Sequence, residues 1–288
     1  MENLDIKMLN TSRGQVEYLD TGKGGSILSL HGAMGGYDQA YILARTVGPS
    51  NYRYLSLSRP GYLGTPLTTG ETPEEQADLY AEVIDLLNIR QVIVIAISGG
   101  GPSAIHFALQ HHDRCSGLVL ISTCSGKVKN KIPLFFHIMT LLAKWPAFVT
   151  MMKKKTEKNL KKALRRSISD PDILERTLRD TDVMALYKEL AVGGFYRMQE
   201  RIAGTKNDIR ITQTRSYPLK DITVPTLVVH GTKDPLVSFN EHGKRLATEI
   251  PGAQLFAVDG GEHATVFTHR REVQAKVSEF LQGLNLSG

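Results

Sequence analysis

The chain is poor in cysteine. Cys115 and Cys124 are its only two. That is too few for a disulfide framework, and they lack the spacing of a zinc site, so no metal and a reducing, cytoplasmic setting are expected. The first ten residues, M-E-N-L-D-I-K-M-L-N, hold acids and no apolar core, which argues against a secretory leader. Internal repeats and low-complexity linkers are missing too, which argues against solenoids and flexible arrays.

What is present is ordinary globular material. The 288 residues are 41% hydrophobic and 22% charged, with a formal net charge of +6. That suffices for one large core. Apolar runs suited to strands occur at 26–30, 54–57, 92–97, 117–121, 226–230 and 254–258. Residues 15–19 (Q-V-E-Y-L) alternate like a half-exposed edge strand. Thr72-Pro-Glu-Glu75 reads as a helix start, followed by Ala77, Tyr80, Ala81, Ile84 and Leu87 on one face. Helices are also expected after Gly101, over 240–249 and over 271–284. The alternation of strand and helix predicts an α/β, doubly wound and mostly parallel sheet. It stops at Ser125. Residues 126–215 are helical in pattern, and a strand resumes at Thr226. The expected division is therefore a core of 1–125 and 216–288 interrupted by a helical cap of 126–215.

The run V-I-V-I-A-I at 92–97 leads straight into Ser98-Gly-Gly-Gly-Pro. A buried strand that turns sharply into a helix lifts a serine oxygen clear of the sheet, and small neighbours such as Ala96 and Gly100 leave room for the turn. The rival reading is a glycine-rich phosphate loop. That loop would carry G-x-G-x-x-G or G-x-x-x-x-G-K-[ST] here, and neither is present. A serine nucleophile needs a base, and the base needs an orienting group. H-G-T-K-D-P at 230–235 and D-G-G-E-H at 259–263 each end a predicted strand. Loops at the C-terminal ends of parallel strands gather on one edge, so Ser98, Asp234 and His263 can meet. Asp234 has a blander role open to it, capping the turn before Pro235. His263 could be a plain loop histidine. Glu262 reads as solvated, and His31 and His230 as structural.

These stretches, with S-R-P-G-Y-L-G-T at 58–65 and H-G-A-M-G-G at 31–36, resemble the α/β-hydrolase superfamily over nearly the whole chain. The resemblance implies that fold, a helical cap, and a triad of Ser98, His263 and Asp234. It points to the backbone N–H groups of Ala33 and Gly99 as the oxyanion hole, with Met34 as a possible pocket residue. It requires no cofactor. The expected function is a serine hydrolase, carboxylesterase-like, acting on a small, largely apolar ester or related carbonyl substrate. A C–C bond hydrolase or a peptidase of the same fold, or a non-catalytic ligand receptor, are the alternatives.

The basic excess concentrates at Lys153, Lys154, Lys155, Lys158, Lys161, Lys162, Arg165 and Arg166, just after an apolar run at 132–151. That run is broken by His137, Lys144 and two prolines, so a membrane span is not expected. Surface contact with a membrane is a lesser alternative to cap helices with an apolar side over the site and a solvated lysine face. No aromatic is interleaved with the basic run to stack bases, so nucleic acid is not an expected partner.

Overall fold

A computed structural model describes residues 4–128 and 140–284. An eight-stranded sheet runs in the order β1-β2-β4-β3-β5-β6-β7-β8. Its strands are β1 (Ile6–Thr11), β2 (Gly14–Gly22), β3 (Ser26–Leu30), β4 (Arg53–Leu57), β5 (Val92–Ile97), β6 (Cys115–Ile121), β7 (Thr226–Gly231) and β8 (Gln254–Val258). From β4 to β8 every neighbouring pair is parallel, while β1 and β2 are antiparallel. The edge reading of 15–19 is corrected here: β2 lies inside the sheet, and Val16 and Tyr18 are buried. The edge is β1, whose residues I-K-M-L-N-T alternate between exposed and half-buried, which hid it as an apolar strand.

The alternation of β5 explains the two layers. Val92, Val94 and Ala96 pack on α2 (Pro73–Leu86) and α3 (Gly101–Gln110). Ile93 and Ile95 pack on the opposite layer, built from α1 (Tyr37–Val47) and the C-terminal helix, Arg270–Gly283. A strand covered on both faces has no polar side, hence the unbroken apolar run. The start of α2 is fixed by a capping box: Thr72 Oγ1 accepts from the Glu75 N–H, and Glu75 accepts from the Thr72 N–H.

Between β6 and β7 the described residues form α4 (Pro146–Lys158), α5 (Leu160–Leu164), α6 (Pro171–Arg179), α7 (Thr181–Gly193) and α8 (Ile202–Thr214). The expected apolar side over the site does not come from the lysine-rich helix. No residue of α4 is buried, Trp145 before it is 64% exposed, and every residue of the basic run is exposed. Three consecutive lysines, Lys153 to Lys155, leave α4 no continuous apolar stripe. The stripe belongs to α7, where Val183, Leu186 and Tyr187 join the core. The apolar run at 132–151 lies partly outside the described residues. Among those described, no helix is long and apolar enough to cross a membrane. After β7 the chain continues through a π-helical turn at Phe239–Gly243 into α9 (Lys244–Glu249). After β8 come α10 (Thr265–Thr268) and α11 (Arg270–Gly283).

Candidate active site

Ser98 follows β5 with a left-handed φ of 51°. Non-glycine residues adopt that region rarely, and strain of this kind persists where the surroundings over-determine it. Thr123, at the end of β6, supplies part of that constraint. Its hydroxyl donates to the Ser98 carbonyl at 2.6 Å. The same side chain accounts for Gly101. A Cβ there would fall 1.8 Å from Thr123 Oγ1, so only glycine fits. Ala96 faces the layer that holds α3, which gives a small residue a packing reason where strand and helix meet.

Asp234 follows β7 and His263 follows β8, on the same edge of the sheet as Ser98. The structure brings all three together. His263 Nδ1 is 2.8 Å from Asp234 Oδ2, and His263 Nε2 is 3.1 Å from Ser98 Oγ. An ionised carboxylate only accepts, so Nδ1 carries the proton and Nε2 is left to accept from the serine hydroxyl. The other Asp234 oxygen accepts from the Leu236 and Val237 N–H groups at 2.9 and 3.0 Å. Burial pushes the Asp234 carboxyl up. Hydrogen bonds from His230 and His263 outweigh that and hold it below the usual carboxylate range. His230 is fully buried and bonded through Nε2 to the Val237 carbonyl, a structural place.

Glu262 differs from its expected solvated state. It is 8% exposed and accepts from both the N–H and the hydroxyl of Ser169, at 2.6 and 2.7 Å. The segment ahead of α6 thereby fastens the loop that carries His263. Pairing of 169 with 262 leaves no trace in local sequence.

The 31–36 loop lies against Ser98: a Cβ on Gly32 would be 3.1 Å from the Ser98 Cβ. The Ala33 nitrogen is 3.3 Å from where a Gly99 Cβ would stand. Among the described residues, the Ala33 N–H donates to no protein group. His31 is fully buried. Its Nε2 accepts from the Arg59 N–H at 3.1 Å, so its Nδ1 donates to the Gly32 carbonyl at 2.7 Å. Burial and the nearby Arg59 charge hold its pKa well below 6.5, so this ring is neutral. Met34 is not among the residues lining the cavity at Ser98. Its N–H donates to Thr205 Oγ1 at 2.9 Å, which fixes it on the α8 side of the loop.

A cavity of about 320 Å³ opens at Ser98 and His263 and runs beside α1. Ile42, Leu43, Ile97, Leu190, Val266 and Phe267 give it apolar walls, and Gln39 and Thr46 add neutral polar groups. Leu190 of α7 is its contribution from the helices between β6 and β7. No lysine or arginine lines it among the described residues. Nor do the described residues hold a cluster of side chains able to bind a metal ion. Chemically, the arrangement can move a proton from Ser98 to His263 beside a carbonyl carbon, with the unengaged Ala33 N–H next to the serine.

The model of the alpha/beta hydrolase fold family matches residues 25–270. The chain is 28% identical to the uncharacterized hydrolase YcgS of Bacillus subtilis, over 90% of this chain and 91% of that protein. It is 26% identical to a 2-hydroxy-6-oxononadienedioate/2-hydroxy-6-oxononatrienedioate hydrolase of Burkholderia vietnamiensis, over 93% of this chain and 91% of that one. Among solved structures, an alpha/beta hydrolase fold protein from Nakamurella multipartita superposes with a TM-score of 0.84 at 30% identity. The match covers 96% of this chain and 99% of that one.

Proposed function

The chain belongs to the alpha/beta hydrolase fold family, and on that premise we propose that it is a serine hydrolase cleaving a small, largely apolar ester or related carbonyl compound through an acyl-enzyme. The observation that carries the reading is the hydrogen-bonded series Ser98–His263–Asp234, at 3.1 and 2.8 Å. Ser98 attacks the carbonyl carbon as His263 Nε2 takes its proton. Asp234 holds the imidazole in the required tautomer and balances the positive charge that forms. The N–H groups of Ala33 and Gly99 receive the oxyanion. His263 then protonates the leaving group, and water, activated by the same ring, releases the acyl group. No cofactor takes part in these steps.

The walls of the cavity support an uncharged acyl group. A second reading, hydrolysis of a C–C bond beside a ketone, draws on the likeness to the oxononadienedioate hydrolase. That relative's named substrate carries two carboxylates, and no lysine or arginine among the described residues lines the cavity to receive one. The neutral ester is therefore preferred. Turnover of short p-nitrophenyl esters, set against dioate esters of equal length, tests the choice. Hydrolysis of the neutral esters that disappears in Ser98→Ala and His263→Gln is expected. Equal or faster hydrolysis of the dioates would overturn the substrate assignment, and no turnover of either would overturn the ester-hydrolase reading in favour of C–C bond hydrolysis.

A further inference from the structure

Met34 follows Ala33 in the loop beside Ser98, and it has a φ of 58°. Left-handed backbone is unfavourable for a side chain of that size, so something must hold it. The holding groups come from the end of the helical insertion. Thr205 Oγ1 accepts the Met34 N–H at 2.9 Å and donates to the Arg201 carbonyl at 2.8 Å. Arg201 reaches the Gly35 carbonyl at 2.9 Å and the Met34 carbonyl at 3.3 Å, and forms a two-point pair with Asp38 at 3.1 and 2.6 Å. Arg201 is fully buried, and so is nearly all of Asp38.

One turn further along α8, Asp208 accepts from Arg59 at 3.0 and 2.5 Å and from the Tyr62 hydroxyl at 2.6 Å. Arg59 in turn donates to the His31 carbonyl at 2.9 Å. A Cβ on Gly99 would fall 2.8 Å from Asp208 Oδ2, so this carboxylate lies directly against the residue that follows the nucleophile. The joint is close enough for backbones to touch. The Gly204 N–H donates to the Gly61 carbonyl at 2.8 Å, and a Cβ on Gly204 would strike the Tyr62 ring. Arg201, Thr205 and Asp208 are spaced four and three residues apart, so they share one helical face.

We propose that this face of α8 sets the oxyanion donors, with Thr205 and Arg201 as positioning residues that hold Met34 left-handed and so aim the Ala33 N–H at the carbonyl oxygen. The inference rests on the reading of Ala33 and Gly99 as oxyanion donors, and adds that α8 belongs to the fixed part of the site. Neither positioning side chain lines the cavity, so neither contributes substrate binding. Losing them acts on the transition state, where a small displacement of a donor is costly.

Thr205→Val keeps the shape and removes the acceptor; Thr205→Ser keeps the acceptor. Hydrolysis of a short p-nitrophenyl ester, inhibition by a trifluoromethyl ketone and amide exchange over residues 31–36 are to be measured in each. In Thr205→Val, kcat is expected to fall by at least about tenfold with KM within about threefold, the split that marks a lost transition-state interaction. Affinity for the ketone, whose tetrahedral adduct places an oxyanion in the hole, falls by the same factor as kcat, exchange over 31–36 quickens, and Thr205→Ser restores all three. Arg201→Lys is the second variant, for use if Thr205→Val does not fold: it keeps a charge opposite Asp38 but loses the two-point fork to that carboxylate and, with it, the Nη1 that reaches the Met34 and Gly35 carbonyls, and the same split is expected. Unchanged kcat and unchanged exchange in folded variants would overturn the proposal, as would a loss seen in thermal stability alone. A wild-type protein that hydrolyses no ester would overturn the functional reading instead, and loop exchange would still decide whether α8 holds the loop.

Discussion

Ser98 and Met34 both have left-handed backbone, with φ angles of 51° and 58°, and both are pinned by a threonine hydroxyl, Thr123 and Thr205. A strained conformation at two adjacent places requires fixed neighbours at both. The titration of individual residues also leaves a measurable mark. Burial, with the Arg59 charge, holds His31 well below 6.5; burial also lowers His106 and His269 from the same value. The unfolded chain takes up protons on these rings below about 6.5, and the folded chain does so only at lower pH. The sign follows: stability is full above that value and falls as pH drops through it. Urea midpoints should therefore decline between about pH 7 and pH 5, above the range where carboxylates titrate. A flat profile there would contradict the neutral buried rings. Asp234 acts lower down: its depressed value adds stability that is present above its ordinary 3.8 and is lost as pH falls through the lowered one.

Among the elements, α8 and α4 behave oppositely. Two buried ion pairs, Arg201–Asp38 and Arg59–Asp208, tie α8 to the core, while no residue of α4 is more than half-buried. Removing one partner of a buried pair leaves the other charged and desolvated, at a cost of about 3–5 kcal/mol. Asp38→Ala should lose stability of that order in denaturant unfolding; a loss below about 1 kcal/mol, the size of a surface pair, would contradict the burial. Amide exchange should separate the two helices in the wild type. Residues 146–158 are expected to exchange at least about tenfold faster than 202–214, because α4 has no buried residue to expose on opening. Equal protection would contradict this picture of the insertion. The strands and the capped α2 were legible because period and capping are local signals. The edge strand β1 was not, since its alternation is weak, and nothing local shows which helix of the insertion buries its apolar side.

For the molecule as a whole, chain order carried the site. Residues 98, 234 and 263 are far apart in sequence, yet each ends a parallel strand, so one topological rule brings them to one edge. What supports them was not legible. Arg59 lies in the S-R-P-G-Y-L-G-T stretch, whose local sequence gives it no partner, and Asp208, which pairs with it, lies far along the helical insertion. Glu262 looked solvated until Ser169 covered it. Long-range pairs of charges have no periodicity to betray them; a charged residue wedged between a strand end and Pro-Gly, as Arg59 is, was the available hint. The division into core and cap remains our proposal, and α8 argues that its boundary should fall before Met198, with the helix counted as part of the site.

Every step proposed for the site depends on Ser98 being the nucleophile. Intact-protein mass spectrometry after treatment with a fluorophosphonate, with the modified peptide sequenced, addresses it directly. One adduct on Ser98 is expected in the folded wild type, slowed strongly in His263→Gln and missing in Ser98→Ala. No adduct on the folded protein, or an adduct that persists in Ser98→Ala, would contradict a nucleophilic Ser98.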